Sequence, residues 1–278
     1  LPSLNLKYNL NTKNVLRLGL SKTYTLPQSK EISPYQYVGM NFKSQGNPNL
    51  RPSDNYNVDI KWDYYLSGSE LISITGFYKY IKNPIARIEV GNAGGYLTYR
   101  NISNLATVAG VETEIRKNIF NFFNTELEKT NKLTAGINAS YIYSNLRVEN
   151  IDLTPDKDSQ LEGAAPFIVN FDLSHNYTNK KFSTTNSLVI NYFSDRIYTI
   201  GTQGFEDIIE QGIPTLSFVS LTKVNKHFGL KIKAGNILDP SFTLTRKGNN
   251  GGNNRGKNII LSQYKKGIDL SLGITYEF

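Results

Sequence analysis

The chain holds no cysteine, one methionine, one tryptophan and two histidines in 278 residues. Without cysteine there are neither disulfides nor thiolate zinc sites, and this leaves the compartment open. No stretch approaches the 18 or so uninterrupted apolar residues of a transmembrane helix, so a helical span is excluded. A membrane barrel is not excluded, because it turns polar residues inward at every second position and so averages as polar. The segment from Leu1 to Tyr8 shows neither a charged n-region nor an apolar h-region. No export signal is read there, and the chain is expected to begin mid-structure. The balance of 31 Lys and Arg against 23 Asp and Glu, net +8, raises nucleic acid as a partner. The basic residues are spread out, however, apart from Arg246, Lys247, Arg255, Lys257, Lys265 and Lys266. Nucleic acid is therefore not expected.

What the sequence has in quantity is tyrosine (18) and phenylalanine (14), set in strict alternation with polar residues. From Asn55 to Leu66 the even positions read Tyr56, Val58, Ile60, Trp62, Tyr64, Leu66. The odd ones read Asn55, Asn57, Asp59, Lys61, Asp63, with Tyr65 as the exception. A 3.6-residue helical period would mix these sets within two turns, so they belong to a strand with one apolar and one polar face. Ile268, Leu270, Leu272, Ile274 and Tyr276 alternate in the same way with Gly267, Asp269, Ser271, Gly273 and Thr275. So do Leu133 to Tyr143, Phe167 to Tyr177, Val111 to Ile115 and Leu4 to Leu10.

The pattern predicts an all-β transmembrane antiparallel barrel with about eleven strands. They lie at 1–10, 13–24, 55–66, 70–82, 105–118, 131–147, 165–177, 182–197, 213–226, 228–239 and 265–278. The segments 182–197, 213–226 and 228–239 alternate less cleanly and are placed by spacing and turns. A ten-residue strand tilted near 40° gains roughly 25 Å in height, the apolar band of an outer-membrane barrel. Tyr8, Tyr24, Tyr56, Tyr64, Tyr80, Tyr177, Tyr276 and Phe278 fall near strand ends, as an interfacial girdle requires.

Connections alternate in length. Short turns at Asn11–Lys13, Ser67–Ser69, Thr178–Lys181 and around Lys226–Phe228, with a longer one from Phe120 to Asn131, separate long loops at 25–54, 83–104, 148–164, 198–212 and 240–264. Short turns belong on the periplasmic side and long loops outside. A soluble sandwich also alternates, but its strands are about half as long and need no aromatic girdle. Bacterial barrels have even strand numbers, so about eleven strands reads as half of a barrel of about 22, the size of the plugged outer-membrane transporters.

Several local runs then become informative. Gly46, Asn47, Pro48, Asn49, Leu50, Arg51 and Pro52 lead from a long loop into the strand near Asn55. Taken with the preceding Pro34 and Tyr35, they resemble the GNP-x-L-x-P segment of TonB-dependent receptors, in particular those of Bacteroidota. Phe77, Tyr78, Lys79, Ile81, Pro84 and Ile85 resemble the family's FYK-x-I-x-x-PI strand end, and Gly110, Val111 and Glu112 its G-[VF]-E strand. Asn236, Ile237, Leu238 and Asp239 resemble its N-[IL]-[LF]-D segment, and Tyr276, Glu277 and Phe278 its aromatic C-terminus. The resemblance implies that residues 1–278 form the C-terminal part of an outer-membrane barrel, with the N-terminal half and the plug domain outside this sequence. It also implies TonB as a partner through the missing part, import of a bulky solute (iron chelate, glycan or peptide), and a surface lipoprotein as a possible partner. The alternative is a non-energised barrel, a passive pore or assembly scaffold.

An enzyme reading is not supported. His175 falls on the outward face near the periplasmic end and His227 in a periplasmic turn, so neither joins an acid or a serine at a rim. No metal cluster and no cofactor are expected. Asp59, Lys61, Asp63, Glu112, Glu114 and Arg116 are expected to face the lumen, as plug or solute contacts or simply as a wet interior. Tyr35, Tyr37, Tyr96, Tyr99 and Arg100 sit in outer loops, where a ligand could stack or hydrogen-bond. The late basic loop is expected to meet lipopolysaccharide phosphates as point charges, around a Gly- and Asn-rich stretch from Gly248 to Asn254.

Overall fold

In the computed structural model, residues 1–39, 41–90, 96–124, 128–149, 156–225, 227–248 and 256–278 are described, and the chain is a series of antiparallel hairpins. β1 (Ser3–Asn9) turns into β2 (Asn14–Thr25). The following connection carries one helical turn, α1 (Ser29–Ile32), and two short strands, β3 (Gln36–Val38) and β4 (Lys43–Gln45). β5 (Ser53–Ser67) and β6 (Glu70–Lys82) make the next hairpin, and β7 (Ile85–Val90) and β8 (Tyr96–Asn101) occupy the connection after it. β9 (Leu105–Asn124) and β10 (Lys129–Val148) are the longest strands, followed by β11 (Lys157–Ser159). β12 (Phe167–Thr178) and β13 (Phe182–Phe193) precede β14 (Arg196–Thr199) and β15 (Ile208–Glu210). Last come β16 (Ile213–Val224), β17 (Phe228–Gly235), β18 (Phe242–Lys247), β19 (Asn258–Tyr264) and β20 (Asp269–Tyr276).

One sheet, in the order β1-β2-β5-β6-β9-β10-β12-β13-β16-β17-β20, forms the wall, with β11 attached to β10. The eleven strands read from the sequence match these one for one. Their bounds move for local reasons. β17 stops at Gly235, not 239, because Asn236 (φ 52) and Asp239 (φ 41) take left-handed backbone and turn the chain out of the wall. β9 continues to Asn124 because a bulge across from Leu133 and Thr134 absorbs one residue and lets the ladder run on. The wall is open, since β1 and β20 each pair with a single neighbour. Residues 125–127 and 226, within two of the expected turns, lie outside the described residues, as do 249–255 of the late loop.

Directly paired residues project to the same side, so the register carries one parity across all eleven strands. One face collects Asn57, Asp59, Lys61, Asp63, Ser73, Glu112, Glu114, Asn138, Asn170 and Asp172. The other collects Leu16, Leu18, Leu20, Val58, Ile60, Ile74, Val111, Ile137, Phe171, Ile190 and Leu272. Most large apolar side chains of the second face are exposed, with Leu18 and Phe171 half-buried, while Val15, Asn55, Asp63, Ser73 and Ser144 of the first are buried. Such an exposed apolar surface on every strand is stable only against hydrocarbon. Tyr8, Tyr64, Tyr177 and Tyr276 ring its short-turn end, and Tyr24, Tyr56 and Tyr80 its long-loop end.

The long connections are not irregular. β3-β4-β8-β7 and β14-β15-β18-β19 form two small sheets, joined by a parallel bridge between Ile88 and Ile200. Under them lies a dry cluster of Ala86, Ile88, Ile102, Ala106, Leu146, Val148, Ile197 and Ile200. Ala106 and Leu146 come from the tops of β9 and β10, so this core ties the loops to the wall.

The register makes a sharp prediction. Leu272 pairs with Ile232 on the apolar face and Ser271 with Lys233 on the polar face. Arginine at Leu272 should cost roughly 2–4 kcal/mol near the bilayer midplane, and arginine at Ser271 far less. Refolding titrations of the two variants of the full-length protein check this, and equal losses would contradict the register.

Candidate functional site

The two small sheets enclose a cavity of about 340 Å³ at the long-loop end. Alternation decides which side chains reach it. On β8, Leu97 and Tyr99 point into the cavity, whereas Tyr96, Thr98 and Arg100 line a separate polar groove with Gly46, Asn47 and Asn49. Of the five ligand residues expected from the sequence, Tyr37 and Tyr99 therefore meet in the cavity. Tyr96 and Arg100 share the other groove, and Tyr35, 72% exposed, belongs to neither.

Residues that sequence reading passed over supply most of the cavity. Phe42 lies 6.4 Å from Tyr198, and Phe242 stacks on Tyr264 at 5.4 Å. Asn41 donates through Nδ2 to Ser262 Oγ at 2.7 Å, bridging the first long loop to β19. The alternation of Phe242-Thr243-Leu244-Thr245 and of Ala86-Arg87-Ile88-Glu89 was the available signal, hidden by the shortness of the strands.

Arg87 is the electrostatic hinge of the cavity. Its Nη2 donates to Glu162 Oε1 at 2.8 Å and to the Tyr198 carbonyl at 2.7 Å, and its backbone N–H donates to Glu162 Oε2 at 2.6 Å. The guanidinium also lies 3.8 Å from the centre of the Tyr198 ring. Burial pushes the Glu162 carboxyl above the usual carboxylate range, and Arg87 pulls it only part of the way back. Burial likewise raises the Tyr99 phenol. Glu210 is taken by Arg196 at 2.7 Å, and Glu89 by Arg246.

The last pair corrects an expectation. Arg246, counted with the late basic residues as a surface charge, is half-buried, paired with Glu89 and lying over the Phe205 ring. Lys265 sits 3.6 Å from Asp239, and Lys266 lies over Phe242. Arg255 is outside the described residues. Three of the six late basic residues are thus engaged in separate contacts, while Lys247 and Lys257 are exposed.

The family-like runs act as fasteners. Asn47 donates through Nδ2 to the Tyr99 carbonyl at 3.0 Å, and its backbone N–H donates to the Glu31 carbonyl at 2.6 Å. A Cβ at Gly46 would overlap the carbonyl oxygens of Ser33 and Lys30. Asn101 accepts from Arg51 N–H at 2.9 Å and donates to the carbonyls of Arg51 and Asn83. Phe77 faces Gly110 across β6 and β9, filling the space a side chain there would need. Asn236 and Asp239 clamp Gly267 at 2.7 and 2.9 Å, just ahead of β20.

On the polar face of the wall, all six expected residues occur together. Asp63, 2% exposed, pairs with Arg17 at 2.9 Å and Lys61 at 3.6 Å, and Arg116 lies 3.6 Å from Glu114. Asn138 donates to Glu112 at 2.6 Å. Asp59 is exposed and has no ion-pair partner among the described residues. His175 contacts Asn131 on the apolar face near the short turns, and His227 contacts the Glu277 carbonyl.

Comparison with known proteins agrees with this geometry. Residues 1–260 match the family model for TonB dependent receptor-like β-barrels. The chain belongs to that family and is an outer-membrane barrel protein. Its fold is similar to that of a variant of the ferric enterobactin receptor PfeA from Pseudomonas aeruginosa, with TM-score 0.59, 15% identity, and cover of 100% of this chain and 40% of that one. The copper transporter OprC gives TM-score 0.61, 14% identity and cover of 99% and 39%. The siderophore receptor PirA from Acinetobacter baumannii gives 0.57, 14%, and 100% and 41%. No curated protein sequence matches the chain. The chain thus spans about two fifths of the structures it resembles.

Two experiments test these contacts. Gly46→Ala should loosen the first long loop, so that hydrogen exchange rises at Gln36–Val38 and Tyr96–Asn101 and stays unchanged in β5 and β6. A double-mutant cycle of Arg87→Ala and Glu162→Ala, read from exchange free energies in β7, should give a coupling of about 0.5–3 kcal/mol. Additive effects would show that the pair does not hold the cavity together.

Proposed function

We propose that the full-length protein imports a bulky solute across the outer membrane with energy from TonB, and that this chain is the C-terminal part of its barrel. The single observation that carries this reading is the aromatic-lined cavity, built by four loops into one unit at the outer mouth of a barrel wall of the receptor family. Binding sites favour loops held by a rigid scaffold, and here the loops are themselves sheets. The open edges at β1 and β20 require further strands, because lipid cannot satisfy unpaired backbone groups. The remaining barrel wall and the plug would supply them and fill the lumen. Asp59 and its charged neighbours on the polar face are the contacts we assign to the plug or to the passing solute.

The similar structures include a ferric enterobactin receptor, a siderophore receptor and a copper transporter. The solute classes we carry are an iron chelate, a glycan and a peptide. A surface lipoprotein partner would sit over the same loops.

The test is uptake by cells carrying the full-length gene, with and without TonB. Uptake should collapse without TonB, and unchanged uptake would favour a passive pore. Deleting residues 36–45 removes only β3 and β4, the edge of their sheet, so the wall and the β7–β8 hairpin keep their pairing. That deletion should weaken ligand binding and leave barrel assembly intact.

A further inference from the structure

The apolar face of the wall carries no Asp, Glu, Lys or Arg through its middle rows, such as Leu18–Ile60–Gly76 and Leu20–Val58–Tyr78. Charge returns in the next two rows toward the long loops, on three adjacent strands. The first of these rows is Lys22–Tyr56–Tyr80 and the second is Tyr24–Asp54–Lys82. Lys22 Nζ lies 5.0 Å from the Tyr24 ring centre and 5.3 Å from that of Tyr56, and Lys82 Nζ lies 5.6 Å from Tyr56 on its other flank. Asp54 pairs with Lys22 at 3.2 Å. Lys82 has no carboxylate within salt-bridge distance among the described residues. Two ammonium groups against one carboxylate leave the patch a net positive charge. Higher on β10, the exposed Arg147 is matched by Asp156 at 3.4 Å and adds nothing to it.

The height of the patch identifies its surroundings. From Asn14 at the short-turn end to Lys22 the strand climbs about 20 Å at ordinary rise and tilt, close to the thickness of the apolar band. The patch therefore stands where hydrocarbon gives way to outer-leaflet headgroups. An ammonium there is strongly attracted to headgroup phosphate, and tyrosine hydroxyls at the same level are further donors.

We propose that Lys22 and Lys82, braced by Tyr24, Tyr56 and Tyr80, form a binding site for the phosphate groups of an outer-leaflet lipid, the phosphorylated glucosamine head of lipopolysaccharide. Asp54 moderates the site by holding Lys22. The assignment rests on the orientation of the wall and is independent of what the cavity captures.

The test uses the purified full-length receptor with bisphosphorylated lipid A, the same lipid after enzymatic dephosphorylation, and inorganic phosphate. Retained lipid is counted by native mass spectrometry. The receptor should retain phosphorylated lipid A several-fold over the dephosphorylated form, and Lys22→Gln with Lys82→Gln should abolish that preference. Lys117→Gln with Lys129→Gln, at the short-turn end of the same face, should leave it unchanged. Asp54→Asn frees Lys22 and should raise retention, an effect in the opposite direction that misfolding would not produce. Equal retention of the two lipids, or full preference in the Lys22/Lys82 double variant, would overturn the site. Displacement of lipid A by inorganic phosphate at millimolar concentration would reassign it to a free anion and overturn the lipid reading.

Discussion

Backbone amides in hydrocarbon find no partner but another strand, and the architecture of this chain follows from that constraint. Each wall strand except the two at the edges is hydrogen-bonded to a neighbour on both sides, over the span where the neighbouring strands overlap it. Because the side-chain period is two and the ladder is continuous, choosing the face of one strand chooses it for all. Asp59 opposite Gly19 and Phe77, and Val58 opposite Leu20 and Tyr78, express one parity repeated eleven times.

Turning the apolar side chains outward leaves the wall without a dry interior of its own. The core appears elsewhere, at the junction of wall and loops, where Ala106 and Leu146 from the strand tops meet Ala86, Ile88, Ile197 and Ile200 from the connections. Lipid solvates the rest of the apolar surface, so only the part that rises above the membrane has to bury its hydrophobic residues against other protein. The loop sheets follow from the same need. Above the bilayer, a connection of this length either fluctuates in water or folds on its neighbours, and these have the β-branched residues to fold.

This explains how much was legible in advance. The wall was readable from local pattern alone, since an eleven-residue alternation such as Tyr56 to Leu66 presents six apolar residues at every second position. β16 was harder because its Leu221 and Val219 put apolar residues on the polar face and weaken the contrast. The loop strands were not read. β4 pairs in parallel with β8 through two rungs, and Arg87 meets Glu162 and Tyr198, 75 and 111 residues away. No local period announces such partners. Of the outer-loop residues singled out in the sequence, Tyr37 and Tyr99 line the cavity and Tyr96 and Arg100 the neighbouring groove, because alternation along β8 sends successive side chains to opposite sides.

The runs that gave away the family are instructive for what they do. Gly46 and Asn47, Phe77 and Gly110, and Asn236 and Asp239 all sit where a wall strand exchanges chain with a loop or where two strands press closest. Their geometry admits few substitutes. Gly46 is enclosed by backbone, which cannot retreat, and Asp239 needs a short side chain that accepts from Gly267 while its own backbone is left-handed. The cavity residues face space instead, and Phe42, Tyr198 or Tyr264 could change shape without disturbing a single ladder bond. A receptor built this way holds its fasteners fixed and leaves its mouth free to vary. The same sequence can therefore announce its fold through Gly46 and its neighbours, while the residues that line its cavity answer to no ladder bond.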